Sequence, residues 1–589
     1  MNNSMRKKTL QKRRVLDRLF KFAIVGGGLT ATSMLCQFVE KASIVVGAGK
    51  LDPSVILLSI FEKTDEFGPG VPHNHKYLLP FHITNMCAAD MGVYADRPGD
   101  FQAWIDRNID WLRVRFGDYP ADVFESVHGH GPCNHYPRAY MGAYLQARFH
   151  QAVEAARRLG IAVKLYPRHE ITDVRQVGGM ARLDINRPHS GGRTEMVVDA
   201  VLLATGHWFP DSRQKNYFDS PWPAKKLLER IPPGSELAII GTSLSAIETV
   251  LTLTSDGHFV CNSNSRLSYI PPNRPRRITL YSRSGLLPKV RGKVGAHVNQ
   301  FINLLAMDKI RSQNNGRISL NATFELLNSE LEMIYGQSFD WVKVLELSGY
   351  PVDELNRYLK EAEIGDGPQG EVLWQTVLHQ TFPYIREWYL QLTDQDRKRF
   401  DRDYTSAFFT HAATQPRINA AKLLALLRAG FVSIVRLGKR YRFYRDDDQD
   451  RYCFDYTDRY GNKRLDSYRY VVNARGQPKS LTTDTSELAQ NLLASISALS
   501  VKASADRGAY LRQHTAIGDH YLSSDQRRYA TIRIDPRTHR VVVPDCGSSV
   551  YAVGAMTRSQ IIDTSMAHGI ACSTATVADN LLHILLRRI

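Results

Sequence analysis

The sequence predicts an α/β fold: two parallel-sheet units of one plan, the second carrying a helical insertion. Three observations predict it. KFAIVGGGLTATS (21–33) is an apolar strand that breaks on Gly26-Gly27-Gly28 and resumes as a helix. SELAIIGTSLSAIETVLTL (235–253) repeats that strand, tight turn and helix. Between about 320 and 430 the apolar residues recur at helical spacing.

In the first unit, Gly26 suits a sharp strand-to-helix turn, and Gly28 leaves the backbone open to close approach. The small Ala31 lets the helix lie against the strand. A helix starting here offers unpaired N–H groups and a positive dipole end, a cradle for pyrophosphate. The next strand, VILLSIFEK, closes on Glu62, whose carboxylate can accept both hydroxyls of a ribose. Glu62 stands 34 residues beyond Gly28, against about 20 in the usual fingerprint. The turn-rich VVGAGKLDPS (45–54) accounts for the excess. A core strand that merely uses glycine at a turn would look alike; the acid at 62 favours a dinucleotide.

Loops rich in Pro, Gly, His and Asn (68–100) precede a helix at 140–160 and then strands over 161–206. The last of these, in VVDAVLLATGHW, ends on Ala204-Thr205-Gly206, small residues under which a cofactor can lie, although a plain core strand also ends this way. In the second unit Gly241-Thr242-Ser243-Leu244-Ser245-Ala246 fills the G-x-G-x-x-G/A frame, with Ser243 at the middle glycine. Its following strand, RRITLYSRSGLLP, ends at Ser282-Arg283 instead of an acid. A guanidinium fork at that corner favours the 2′-phosphate of NADP. Acid at 62 and arginine at 283 thus predict two cofactors, FAD in the first unit and NADPH in the second.

The helical stretches FELLNSELEMIYG, VDELNRYLKEAE, VLWQTVLHQTFPYIREWYLQL and INAAKLLALLRAG form the expected insertion, shaping a substrate cavity or serving packing alone. Strands resume in SIVRLGKRYRFY and YCFDYTDRYG, and DSYRYVVNARGQP repeats the strand-then-glycine pattern at 473–476. Near the C-terminus VYAVGA ends at Gly554 and leads to a long helix over 563–587. Its dipole could face a flavin ring, or it could simply close the sheet. The expected organisation is a basic tail (1–20), a first FAD segment (21–215), an NADPH domain with the insertion (216–474) and a second FAD segment (475–589).

With 589 residues, 43% hydrophobic and 10% aromatic, the chain can bury several cores. The net charge of +17 admits nucleic acid or an anionic membrane as partner. The basic residues are scattered, however, apart from RKKTLQKRR (6–14) and NRPRR (273–277), and no zinc-finger or RNP-like motif accompanies them. Seven dispersed cysteines without C-x-x-C predict reduced thiols. The N-terminal apolar run is interrupted by Lys21 and three glycines, so a soluble, cytoplasmic protein with no integral membrane association is expected. His128-x-His130-x-x-Cys133-x-His135 has metal-ligand spacing, but its glycines and proline favour a loop, and no metal is expected. His73 and His75 are candidates for proton transfer or for a surface loop.

FAIVGGGLTATS, FGPGVPHN, HITNMCAADM, NHYPRAYMGAYL, LLATGHW, IIGTSLSAIE, ITLYSRSGLLPK and YAVGAMTRS together resemble the bacterial FAD-NAD(P)-binding protein family. More distantly, the chain is similar to the class B flavin monooxygenases, including ornithine and lysine N-hydroxylases. The resemblance runs from about residue 21 to the C-terminus and includes Trp374, Trp388, Arg399 and Arg417 in the insertion. It implies that Gly26, Gly28 and Glu62 hold the adenosine half of FAD. Gly68, Gly70, His82 and Asn85 would lie near the isoalloxazine, and Tyr136-Pro137-Arg138 along the cleft. Gly241, Ser243 and Arg283 would hold NADPH. The expected activity is NADPH-driven hydroxylation of a small molecule with dioxygen by way of a flavin hydroperoxide. A flavin reductase, or a non-catalytic FAD/NADPH sensor, is the alternative.

Overall fold

The computed structural model describes residues 19–588 except 118–134, 188–190, 210–211, 263–265, 296–316, 337–349, 477–480, 495–531, 543–547, 559, 563 and 565. The N-terminal tail and His128, His130 and Cys133 therefore lie outside the described residues.

Two five-stranded parallel sheets share one construction. In the first, the strand order is Val550–Ala552, Ala200–Leu203, Phe20–Val25, Ile56–Glu62 and Ala162–Pro167. In the second it is Tyr217–Phe218, Tyr470–Asn473, Glu236–Ile240, Arg277–Ser282 and Val432–Arg436. Each sheet is followed on one face by a three-stranded antiparallel meander, 170–198 in the first unit and 441–468 in the second.

Strand alternation explains the layering. Phe22 and Ile24 face the helices Leu29–Gly47, Arg138–Leu159 and Ala567–Arg588, while Ala23 and Val25 face the first meander. In the second sheet Leu237 and Ile239 pack against helices, while Ala238 and Ile240 meet Tyr452 and Phe454 of the second meander. Both faces are covered, so these strands read as continuous apolar runs. Each large side chain so buried contributes about 1.5–3 kcal/mol.

The C-terminal helix returns to the first unit. Gln37 Nε2 donates to Thr574 Oγ1 at 2.7 Å and to the Ala571 carbonyl at 2.8 Å, and Ser33 and Thr574 hydroxyls meet at 2.7 Å. This helix begins at Ala567, later than the sequence pattern suggests. By length and composition it and Leu29–Gly47 could cross a membrane, but here they pack on each other inside the first core.

Two expectations need correction. The helix Arg417–Arg428, read as the end of the insertion, packs on the second sheet through Ile418, Leu423 and Leu426 and connects directly to Val432–Arg436. Its apolar periodicity is that of any amphipathic helix, and only the strand beyond it shows which layer it serves. The inserted layer proper has its own core around Leu331, Trp374, Trp388 and Phe408. Cys87, expected to be reduced, is disulfide-bonded, whereas Cys36, Cys261, Cys453 and Cys572 form no disulfide.

Candidate cofactor cleft

Gly26 has φ +103°, and a Cβ there would stand 2.3 Å from the Ala204 carbonyl oxygen. The turn is held by Gly26 N–H donating to the Phe61 carbonyl and Ala204 N–H donating to the Val25 carbonyl, both at 2.8 Å. Gly241 repeats this with φ +126° and a would-be Cβ 2.7 Å from the Ala474 carbonyl oxygen. Its N–H donates to the Tyr281 carbonyl at 2.8 Å, and Ala474 N–H to the Ile240 carbonyl at 2.9 Å. The small residues after Ala200–Leu203 and Tyr470–Asn473, Ala204 and Ala474, are thus the partners the two turns require.

Both turns open on one cleft of about 1200 Å³, larger than the roughly 300–1,000 Å³ of an ordinary small-molecule site. Of the sequence-predicted residues, Gly26, Gly28, Glu62, Gly70, Asn85, Arg138, Gly206, Gly241, Ser243, Arg283 and Gly554 line it. Gly28 and Gly70 approach each other closely, a Cβ on Gly28 lying 3.4 Å from the Gly70 Cα. Gly554 brings the last strand beside Thr30 at the start of the first helix. Neither helix is capped by its own side chain at Gly28 or Ser243, so their first N–H groups remain for an anion.

Five predicted residues, Ala31, Gly68, His82, Tyr136 and Pro137, do not line it. Ala31 is fully buried within its helix, the packing position its size suggests. His82 is buried behind the wall, its Nε2 2.9 Å from Thr252 Oγ1 and its Nδ1 accepting from Leu79 N–H at 3.2 Å. It joins the loop before Asn85 to the second unit's helix Leu244–Leu253 and does not face the cleft. His75 is exposed and also off the cleft, whereas His73 lines it. Burial, aided by the charges of Arg138 and His207, holds the His73 imidazole down to about 3, so it is neutral at pH 7.

The residues suit the two cofactors. Glu62 accepts Gly27 N–H at 2.7 Å and Thr64 N–H at 2.8 Å, which fixes its carboxylate at the end of the strand. Asn85 Oδ1 is buried without a hydrogen-bond partner, as a group awaiting a ligand would be. Arg283 is exposed, and its guanidinium has no ion pair among the described residues. Arg283→Ala is expected to weaken NADPH about tenfold or more, with little effect on NADH, because only NADPH carries the 2′-phosphate. Equal losses for both nucleotides in a binding titration would remove this role.

Sequence reasoning missed the pair that joins the units across this cleft. Arg138 donates to Glu248 Oε1 through Nη2 at 2.6 Å and Nε at 3.1 Å, and Nε also reaches the Ile83 carbonyl. Both side chains are nearly buried, and burial raises the Glu248 carboxyl above its ordinary value against the pull of Arg138. The inserted layer also reaches the cleft: His379 Nε2 lies 3.2 Å from Asp90 Oδ2, and both line it. Burial pushes the Asp90 carboxyl up. The His379 hydrogen bond and the charges of His379, Arg291 and His568 outweigh it and leave the carboxyl below its usual value. Among the described residues no cluster of three or more His, Cys, Asp or Glu is arranged to hold a metal.

Two glycine-turn cradles facing one cleft define a nucleotide-cofactor-binding protein. Residues 23–208 match the family model described as FAD-NAD(P)-binding, and this part of the chain is a FAD-NAD(P)-binding domain. The chain is 24% identical over 452 residues to the uncharacterized protein YdhS of Escherichia coli strain K12, covering 72% of this chain and 78% of that one. Among solved structures it is similar to L-lysine 6-monooxygenase from Pseudomonas syringae, with TM-score 0.47, 13% identity and coverage of 96% and 99% of the two chains. It is also similar to ornithine hydroxylase (PvdA) from Pseudomonas aeruginosa, with TM-score 0.45, 11% identity and coverage of 97% and 99%.

Proposed function

We propose that the protein is an FAD-dependent, NADPH-using oxidoreductase that hydroxylates a small molecule with dioxygen. The observation that supports this best is that both glycine turns, one followed by Glu62 and the other by Arg283, open on a single cleft roofed by the inserted helices. In this reading the first and last segments of the chain form one domain and residues 216–474 the other.

FAD and NADPH, when bound, would supply the redox chemistry with oxygen. The protein's contribution is placement. The helix starts after Gly28 and Ser243 receive the two pyrophosphates, Glu62 the adenosine ribose of FAD, and Arg283 the 2′-phosphate of NADPH. Gly28 and Gly70 permit close approach, and Asn85 presents a free amide oxygen to the ring. The Arg138–Glu248 pair fixes the second unit's helix against the first, which sets the distance between the cofactors. Leu378 and Phe409 of the inserted layer line the cleft and would keep water from the reacting groups.

The test is oxygen consumption during NADPH oxidation by the purified protein. Oxygen-dependent turnover, uncoupled to hydrogen peroxide when no substrate is present, is the expected result. NADPH oxidation that ignores oxygen and needs another acceptor would contradict hydroxylation. One observation favours such a reductase: Cys87, next to the cleft residue Met86, is disulfide-bonded. In that case anaerobic NADPH would expose two additional thiols for each NADPH oxidised.

A further inference from the structure

Arg291 stands on the segment that leaves the second unit's strand Arg277–Ser282, and three backbone contacts clamp it. Its own N–H donates to the Gln415 carbonyl at 2.8 Å, and Gly292 N–H donates to Gln375 Oε1 at 3.0 Å. Gln375 Nε2 in turn donates to the Val290 carbonyl at 2.7 Å. Gln375 belongs to the inserted helix Leu373–Gln391, and both glutamines are buried. The clamp directs the side chain into the cleft wall.

Among the described residues the guanidinium has no close polar partner, and Asp90 is the opposite charge that acts on it. Its Nε is buried without a hydrogen bond, and no ion pair reaches it among the described residues. The titratable groups that sense it are Asp90 and His135, and His379 and His568 in turn act on Asp90. Asp90 is the acid among them, and its carboxylate is engaged by His379. Burial lowers the Arg291 guanidinium below the ordinary arginine value, with Asp90 opposing. A desolvated cation held rigidly and left unpaired is costly to the protein alone, and an arriving anion would repay it.

We propose that Arg291 anchors an anionic group, a carboxylate or phosphate, of the small molecule that enters between the inserted helices and the first sheet. This rests on the oxidoreductase reading and adds the substrate's charge to it. Other anions have other receptors: the FAD pyrophosphate meets the helix start after Gly28, and the 2′-phosphate meets Arg283. The Gln375 and Gln415 clamp gives the anchor its fixed position, and the planar fork suits an oxyanion.

The test is titration of the FAD-loaded protein with inorganic phosphate and with acetate at constant ionic strength, read as a flavin difference spectrum. At least one anion is expected to give a saturable change. Arg291→Gln should weaken it about tenfold or more with flavin content retained, Arg291→Lys should recover part of it, and Arg283→Ala should leave it unchanged. No spectral response to either anion, or equal affinity in Arg291→Gln, would overturn the proposal. Loss of the response in Arg283→Ala alone would assign the anion to the NADPH phosphate site, and loss of flavin in Arg291→Gln would assign Arg291 to FAD. Either outcome also overturns it. A yellow wild type without response sinks this inference alone, whereas a colourless one sinks the cofactor reading beneath it.

Discussion

The Gly26→Ala variant is expected to lose bound FAD and at least ~2 kcal/mol of stability. A positive φ of +103° is already strained for any residue with a Cβ, and that Cβ would stand 2.3 Å from the Ala204 carbonyl oxygen. Relief requires the strands Phe20–Val25 and Ala200–Leu203 to part where Ala204 N–H meets the Val25 carbonyl at 2.8 Å. The pyrophosphate cradle starts two residues later, so the same shift displaces it. Gly241→Ala imposes the same conflict, with φ +126° and Ala474 in place of Ala204, but in the other unit. It is expected to keep its flavin and lose NADPH-driven reduction by about tenfold or more. Flavin content and stopped-flow bleaching separate the two, and loss of flavin in both would contradict the assignment of one cofactor to each turn.

Glu248→Ala is expected to cost about 3–5 kcal/mol, because it strands the Arg138 cation in a buried contact between the units. The hydrogen bond from Arg138 to the Ile83 carbonyl remains, but it cannot neutralise the charge. Arg138→Met combined with Glu248→Leu should recover most of the loss, since apolar side chains of similar size fill the space without a desolvated charge. Urea unfolding of the wild type and the two variants checks this. If the single variant is as stable as wild type, the pair does not hold the units together.

Much of this was legible in the chain because its physics is local. The two turns show as glycine between an apolar strand and an amphipathic helix, and Glu62 and Arg283 show as the last residues of the following strands. The strands over 161–206 show as alternating segments such as MARLDINR, while their pairing into a meander does not. The rest depends on contacts between distant residues. Arg138 and Glu248 are 110 positions apart, and Glu248 is one more acid on a helix until Arg138 lies against it. Arg291 carries no motif, and its clamp comes from Gln375 and Gln415 in other elements. His82 belongs to a segment of suggestive composition, yet it turns inward to Thr252. The sequence pattern identified Arg417–Arg428 as a helix, while its layer was decided by the sheet it covers.

The central claim is that one cleft holds a flavin within reach of NADPH. Its most direct test is the visible spectrum of the purified full-length protein before and after NADPH is added without oxygen. Bound yellow flavin that NADPH bleaches much faster than it bleaches free flavin, and faster than NADH does, is the predicted result. A colourless protein that gains no flavin on incubation with FAD, or a bound flavin that NADPH leaves oxidised, would contradict it.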